Sequence, residues 1–448
     1  MTSFQNFLNR LPLYIMACAL LGGCASLEAG HPASDAVSPV SGMRIAVFPV
    51  ENLSGTPVPL KELNGELHAV LKRNRVPMIE ATAVDGFIES HRVRYLGGID
   101  EITAAKLSAE IGADAVLIST IELYNEVSPP KFSMISRLVS LKGVPEIVWM
   151  ESVGMAGDDA PGILGLGLIE DQKILRNKGI GVIGASLKRH FSDPPVRKQR
   201  VSARAKREEE IFTLKDLVED IKTEKRTLTN PSDLQARAWL AKKPYTVEEM
   251  LQESKTKGGP FLSRYNPLGW YSSGDQLVEE ERAIAIIPFF NRSTRKHAAE
   301  LQVLHLAKQL VKNGSFKVLE LGVIRDKLLN MHIIMNDGIS IPSLDLVSIS
   351  LEADLLLNGV VFDYLDTVGY GSYPKINFSM QMFDRDNKKI LWSSHSHNQG
   401  NDGVYFFEYG SISTAGALAD LMNRALVLKL VEHAGNYLTP PTQTDKEN

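Results

Sequence analysis

The sequence predicts an α/β protein built as two tandem modules of three-layer type, each a mixed sheet with packed helices in the order β-α-β-α-α-β-β-β-α. Three observations predict it. The stretch Ala113-Asp114-Ala115-Val116-Leu117-Ile118-Ser119-Thr120-Ile121-Glu122-Leu123-Tyr124 returns 240 positions later as Ala353-Asp354-Leu355-Leu356-Leu357-Asn358-Gly359-Val360-Val361-Phe362-Asp363-Tyr364. Around this echo, residues 76–124 and 316–364 align without a gap, with Glu80/Glu320, Gly98/Gly338 and Ile99/Ile339 in common. Short β-rich apolar runs that do not alternate, the pattern of strands covered on both faces, are interleaved with segments of helical period.

The chain has 448 residues, too many for one ordinary core, and its 44% apolar and 23% charged content is that of a globular protein. A net charge of −4 argues against a general nucleic-acid binder, which needs a basic surface to displace counterions. The two cysteines, Cys18 and Cys24, both lie near the amino terminus, so the folded part carries no disulfide and no thiolate metal site.

In the first module, 43–191, Arg44-Ile45-Ala46-Val47-Phe48-Pro49-Val50 reads as a covered strand and Glu51-Asn52-Leu53-Ser54-Gly55 as its turn. Leu60, Leu63, Leu67, Val70 and Leu71 recur at helical spacing. Val76 to Ile79 reads as a short second strand, and Val84, Phe87 and Ile88 mark a short helix. Asp100 is placed to cap a third helix carrying Ile102, Ala105, Ala109 and Ile111, with Gly112 placed to end it. The Ala-Asp strand follows, then a hairpin from 132–141 and 146–150, and a last helix around 169–191.

The second module, 282–433, repeats the order. Ile284 to Pro288 matches Ile45 to Pro49, and Asn291 and Ser293 match Asn52 and Ser54. Leu301, Leu304, Ala307 and Val311 build its first helix, and Ile376, Phe378, Met380 and Met382 alternate with polar residues as a half-exposed strand. Trp392 is the counterpart of Trp149, Ala415 to Val431 forms the last helix, and 434–448 reads as a disordered tail. Glu352 stands where the first copy has Gly112, so that helix end must close differently. Residues 192–281 belong to neither copy: a charged helical stretch, basic from Arg197 to Arg207, leads to a turn-rich strap around Pro267-Leu268-Gly269-Trp270-Tyr271.

At the amino terminus, eleven uncharged residues at 11–21 are too short to cross a hydrocarbon core about 30 Å thick, and read as a signal h-region. Leu21-Gly22-Gly23-Cys24 resembles the lipobox of bacterial lipoproteins. The resemblance implies a signal peptide at 1–23, lipidation at Cys24 with acyl chains that include palmitate, and, with no Asp in the second mature position, transfer to the outer membrane. Residues 24–42 then read as a tether.

Chemistry is sparse. Gly179-Ile180-Gly181-Val182-Ile183-Gly184 satisfies G-x-G-x-x-G but lacks the preceding strand that a nucleotide site needs. His395 and His397 would share one face of a strand, and a metal needs a third ligand, so they read as exposed strand histidines. Gly154, Gly157, Gly162, Gly165 and Gly167 read as a loop feeding a closely packed helix. Asp114 and Asp354 read as structural acids that bond nearby backbone N–H groups. Neither catalytic nor metal-binding residues nor a cofactor are expected.

With the lipobox, the Ile-Ala-Val-Phe-Pro strand before Glu-Asn-Leu-Ser-Gly, the Gly-Ala-Asp-Ala-Val-Leu-Ile strand and the closing Ile-Val-Trp strand in view, each module resembles the TolB amino-terminal-like domain. That domain is shared by CsgG-type secretion lipoproteins and by lipoprotein activators of penicillin-binding proteins. The resemblance implies an envelope protein that binds other envelope proteins or forms a homo-oligomer, and with no Ser/His/Asp arrangement, paired-carboxylate motif or P-loop legible, an enzyme is not expected. The expectation is an outer-membrane, periplasm-facing scaffold or accessory factor in envelope assembly or secretion. The alternatives are a CsgG-like oligomeric channel subunit and a peptidoglycan-synthase activator.

Overall fold

The computed structural model describes residues 43–159, 167–192, 262–273, 282–331, 347–366, 373–403 and 410–435. Two mixed sheets, each packed with helices, carry the two copies. The first copy runs β1 (Ile45–Val47), β2 (Glu51–Asn52), α1 (Leu60–Arg73), α2 (Ala81–Ser90), α3 (Glu101–Ile111), β3 (Ala115–Asn125), β4 (Lys131–Ser140), β5 (Glu146–Ala156) and α4 (Gln172–Ser192). The chain then adds β6 (Gly269–Ser272). The second copy runs β7 (Arg282–Ile286), β8 (Phe290–Asn291), α5 (Ala298–Asn313), β9 (Phe316–Val318), α6 (Leu321–Asn330), β10 (Leu355–Leu365), β11 (Lys375–Asp384), β12 (Lys389–Gln399) and α7 (Ala415–Gly435).

The repeated strand is central in both sheets. β1 pairs parallel with β3 (Ile45 opposite Ala115), and β7 pairs parallel with β10 in the same way (Ile284 opposite Leu355). β3, β4 and β5 form one antiparallel meander and β10, β11 and β12 the other. Both repeated aspartates do what their position predicts: Asp114 accepts the Arg44 N–H at 2.8 Å, and Asp354 the Ala283 N–H at 2.8 Å, each tying the central strand to the start of its parallel neighbour. Asn52 and Asn291 likewise accept the N–H groups of Ser54 and Ser293 at 2.9 and 3.0 Å.

Several elements differ from the sequence reading. Residues 76–79 do not make a strand: a single bridge joins Met78 to Ile45, whereas the second copy pairs β9 fully with β7. Glu51-Asn52, read as turn, is strand β2 on β3. Asp100 caps α3 through the Thr103 N–H (2.8 Å), but the helix buries Ala104 and Leu107 and leaves Ile102 66% exposed, a different face from the expected one. The helix is nearly apolar-neutral around its circumference, so packing rather than pattern sets its rotation. Strand β5 runs on past Met150 and takes in Gly154. Part of the expected strap is strand β6, which pairs with β12 and stacks Trp270 on Trp392 with ring centroids 5.3 Å apart. Leu262–Tyr265 form a short 3-10 helix before β6, and residues 193–261 and 274–281, the tether, Cys24, and Gly162 and Gly165 lie outside the described residues.

Glu352 resolves the missing glycine by taking the left-handed conformation itself, φ +51° against +68° at Gly112. That backbone strains an L side chain, and Glu352 is exposed and gains nothing from it. Replacing Glu352 with Gly is therefore expected to stabilise the chain by up to about 1 kcal/mol in urea unfolding.

The core is continuous across the two copies. One face of the first sheet packs on α1 and α4, through Ile45, Leu63, Leu67, Leu117, Ile180 and Ile183. The opposite face (Ile118, Ile135, Met150) shares a single cluster with α5, α7 and the inner face of the second sheet (Leu357, Phe378, Met382). The described residues from Met43 onward thus form one compact unit, with α5 and α7 sandwiched between the sheets. The far side of the second sheet carries α6. The sandwiching explains a contrast between equivalent helices. Helix α1 buries Leu63, Leu67, Val70 and Leu71 on one stripe, whereas α5 is buried at every residue from Ala298 to Leu310 except Glu300.

Candidate functional site

The densest chemistry lies at the joint where α5 and α7 meet the first sheet. From α5, the polar side chains Gln302, His305, Lys308 and Gln309 follow one another at helical spacing, and all are buried. The first sheet offers Glu122 from β3 and Glu151 from β5, and α7 offers Asp420 and Asn423. His305 Nε2 lies 2.8 Å from Glu122, and its Nδ1 3.9 Å from Asp420. Lys308 Nζ lies 2.6 Å from Asp420, 3.3 Å from Glu151 and 2.6 Å from Ser152 Oγ. Lys312 reaches Glu151 at 2.8 Å, the Ser133 hydroxyl donates to Glu122, and Gln302 donates to Asn423 at 2.9 Å.

Electrostatics within this cluster are coupled. Burial by itself lowers the His305 pKa, but Glu122 and Asp420 override it and raise it to about 9. Burial would raise Glu151, yet Lys308 and Lys312 hold it down at about 2. Asp420 and Glu122 also lie below the usual carboxylate range despite burial, through Lys308 and His305 in the first case and His305 in the second. Three carboxylates thus face an imidazolium and two ammonium groups. A second cross-joint pair lies nearby: Arg137 of β4 donates to both Glu320 oxygens, at 3.0 and 2.8 Å, and to the Gly97 carbonyl at 2.6 Å, with both side chains fully covered. The pairs His305–Glu122, Lys308–Glu151, Lys312–Glu151 and Arg137–Glu320 cross between the two copies, and the others brace their partners within one copy. His305, Lys308 and Glu122 are buried at the centre of the cluster, and Lys312 and Asp420 carry it to the surface.

At the carboxyl ends of β3 and β10 a cleft of about 810 Å³ opens between the copies, lined by Pro57, Tyr124, Val127, Arg295 and Tyr364 among others. Arg295 crosses it, pairing with Asp366, donating to the Glu122 carbonyl and lying 5.1 Å above the Tyr364 ring. Asp366 in turn accepts the first N–H of α7, from Ala415, at 2.6 Å.

His395 and His397 fall on one face of β12, as their spacing predicts, opposite Ser379 and Asn377 of β11, and the Phe362 ring lies 6.2 Å from that of His395. Among the described residues no His, Cys, Asp or Glu cluster has metal-site geometry. The glycines of Gly179-Ile180-Gly181-Val182-Ile183-Gly184 sit inside α4. A Cβ at Gly179 would press on the Phe132 ring, and one at Gly184 on Val70 and Asn74. They allow helix α4 to approach the sheet and α1 and offer no phosphate-binding turn. No described helix is long and apolar enough to cross a membrane.

Sequence reasoning missed the joint. The only signals were Glu122 inside an apolar run and the Gln302-His305-Lys308 stripe, which has the spacing of an ordinary solvent face.

No family model matches the chain, and no curated protein matches it. Among solved structures it is similar to a PelC dodecamer from Paraburkholderia phytofirmans, at 14% identity over 35% of this chain and 98% of that one, TM-score 0.24. It is similar to lipoprotein GNA1162 from Neisseria meningitidis, at 16% identity over 34% and 97%, TM-score 0.24. It is also similar to the LpoB C-terminal domain from Salmonella enterica, at 14% identity over 31% and 93%, TM-score 0.22.

Proposed function

We propose that this chain is a non-enzymatic lipoprotein of the outer membrane, facing the periplasm, that serves as a scaffold or accessory factor in envelope assembly or secretion. The observation that carries the reading is Leu21-Gly22-Gly23-Cys24 placed directly after an eleven-residue apolar stretch and before a Pro-, Ser- and Ala-rich tether. Acylation at Cys24 would hold the chain firmly, since each buried CH₂ contributes about 0.8 kcal/mol and more than one chain is attached. The protein half of the reading is supported by the use made of its polar groups. The buried acids and bases fasten the two copies to each other, and the repeated aspartates bind backbone, which leaves outer surfaces rather than a reaction centre to carry the role. Each module's resemblance to the TolB amino-terminal-like domain points the same way.

The test is direct. Wild-type chain is expected to incorporate labelled palmitate and to fractionate with the outer membrane. A Cys24→Ser chain exported behind an ordinary cleavable signal is expected to carry no label and to appear in the soluble periplasm. Membrane retention of that variant would sink the anchor. Crosslinking in intact cells then identifies the partner. A detergent-extracted ring that conducts ions in bilayers would replace the scaffold reading with a channel, and capture of a peptidoglycan synthase would make the chain its activator.

A further inference from the structure

Helices α1 and α4 form the outer layer of the first sheet, on the side away from α5, α7 and the second sheet. Toward the carboxyl ends of the two helices the outward side chains are cationic, the acids Glu62, Glu66, Glu170 and Asp171 lying at the other end. Helix α4 contains no acidic residue in its 21 positions and exposes Lys173, Lys178, Lys188 and Arg189. The two acids of α1, Glu62 and Glu66, are both taken by Arg176 of α4, at 2.7 and 2.8 Å. Lys72, Arg73 and Arg75 stand exposed at the end of α1. All this occurs in a chain of net charge −4. Cations in a last turn complement a helix dipole, but that does not account for a whole helix without acids, nor for Arg75, which lies beyond the cap.

The cations are gathered at one end of the layer. Gly184 of α4 sits against Val70 and Asn74 of α1, so one turn further Lys188 and Arg189 come level with Lys72, Arg73 and Arg75. Two apolar side chains share the outer stripe of α4, Ile174 at 58% and Val182 at 41% exposure. Met43, the first described residue, packs against the cluster under these helices, as do Met78 and Phe191. Residues 24–42 join the described unit at Met43.

We infer that the α1–α4 face is a docking surface for an anionic phospholipid bilayer. The inference rests on the envelope reading above and adds an orientation to it. The occupant follows from charge complementarity and from the tether, which joins the expected anchor to this side of the molecule. Lysine and arginine close to an anionic leaflet are each worth about 1 kcal/mol, and the attraction decays within a Debye length of roughly 10 Å at moderate salt. A flexible tether of this length spans roughly 25 Å, so it returns the face to the leaflet repeatedly and leaves the charges to hold it there. Docked this way, the first sheet lies toward the membrane, and the second sheet, with the Phe362 and His395 face, lies toward the periplasm.

The experiment uses chain 25–448, which contains every described residue but lacks Cys24. It is expected to float with vesicles of phosphatidylglycerol and phosphatidylcholine, to stay behind with pure phosphatidylcholine, and to be released by added NaCl. The pair Arg73→Glu with Arg189→Glu is expected to lower partitioning roughly tenfold or more. A control pair of equal charge change outside α1 and α4, Lys106→Glu on α3 with Lys389→Glu on β12, is expected to leave it within about twofold. Absence of binding to anionic vesicles, equal binding to neutral ones, or equal loss in the two pairs would overturn the docking surface. Because this chain lacks Cys24, those results leave the anchor untouched, and loss of palmitate labelling in the full chain leaves the docking surface untouched.

Discussion

Arg137→Met is expected to lower the unfolding free energy by about 3–5 kcal/mol, and the double variant Arg137→Met with Glu320→Gln to recover a large part of that loss. Arg137 and Glu320 belong to different copies, and both are fully covered. Removing the guanidinium leaves an ionised carboxylate away from water and strips the Gly97 carbonyl of its donor. The carboxylate cannot simply leave, because Glu320 starts α6, where its oxygen accepts the Gly322 N–H at 3.4 Å. Glutamine keeps an acceptor at that cap while removing the stranded charge, hence the partial recovery. Against a total of about 5–15 kcal/mol for a typical domain, the single change is severe. Urea unfolding of the three proteins decides it. If Arg137→Met costs under about 1 kcal/mol, or if the double variant is worse than the single by the full sum, the pair does not fasten the joint as described.

Much of the frame could be read from the chain, because each copy repeats signals that act locally. Asp114 and Asp354 sit where a strand start needs an acceptor, Asn52 and Asn291 where a turn needs one, and Asp100 and Gly112 at the two ends of one helix. Alternation along β11 also holds, with Ile376, Phe378, Met380 and Met382 all buried. What could not be read depends on contacts between the copies. The stripe Gln302-His305-Lys308-Gln309 has the period of a helix facing water, and α1 shows what that period normally means. In α5 the same pattern faces the first sheet and α7, and only charges placed far away in sequence, Glu122, Glu151 and Asp420, make the burial affordable. The rotation of α3 was misread for a related reason: a helix with little amphipathic contrast takes its orientation from its neighbours.

Raising the pH from 6.5 to 9 is expected to destabilise the wild-type chain, and His305→Gln is expected to flatten that part of the profile. His305 titrates near its ordinary 6.5 in the unfolded chain and at about 9 in the folded one, because burial, which alone would lower it, is outweighed by Glu122 at 2.8 Å and Asp420 at 3.9 Å. A raised folded-state value means that the contribution is fully present below 6.5, declines as the unfolded state loses its proton, and is gone above 9. At 1.36 kcal/mol per pH unit the total is roughly 3 kcal/mol. The other groups facing this pair do not cancel it within that window. Glu151, Glu122 and Asp420 are held below the normal carboxylate range, so their contributions are lost only in acid. Lys308 is raised by Asp420 and Glu151 against burial and stays charged. Lys312 is lowered by burial and by Lys308 and works in the opposite sense, but on a lysine whose ordinary value is 10.5. His305→Gln should therefore be less stable than wild type at pH 6.5 and about equal to it near pH 9.5, since a neutral imidazole beside two carboxylates holds them no better than an amide. A wild-type urea midpoint that stays constant between pH 6.5 and 9 would mean that the imidazolium does not bind the two copies, and that Lys308 alone balances the acids between them.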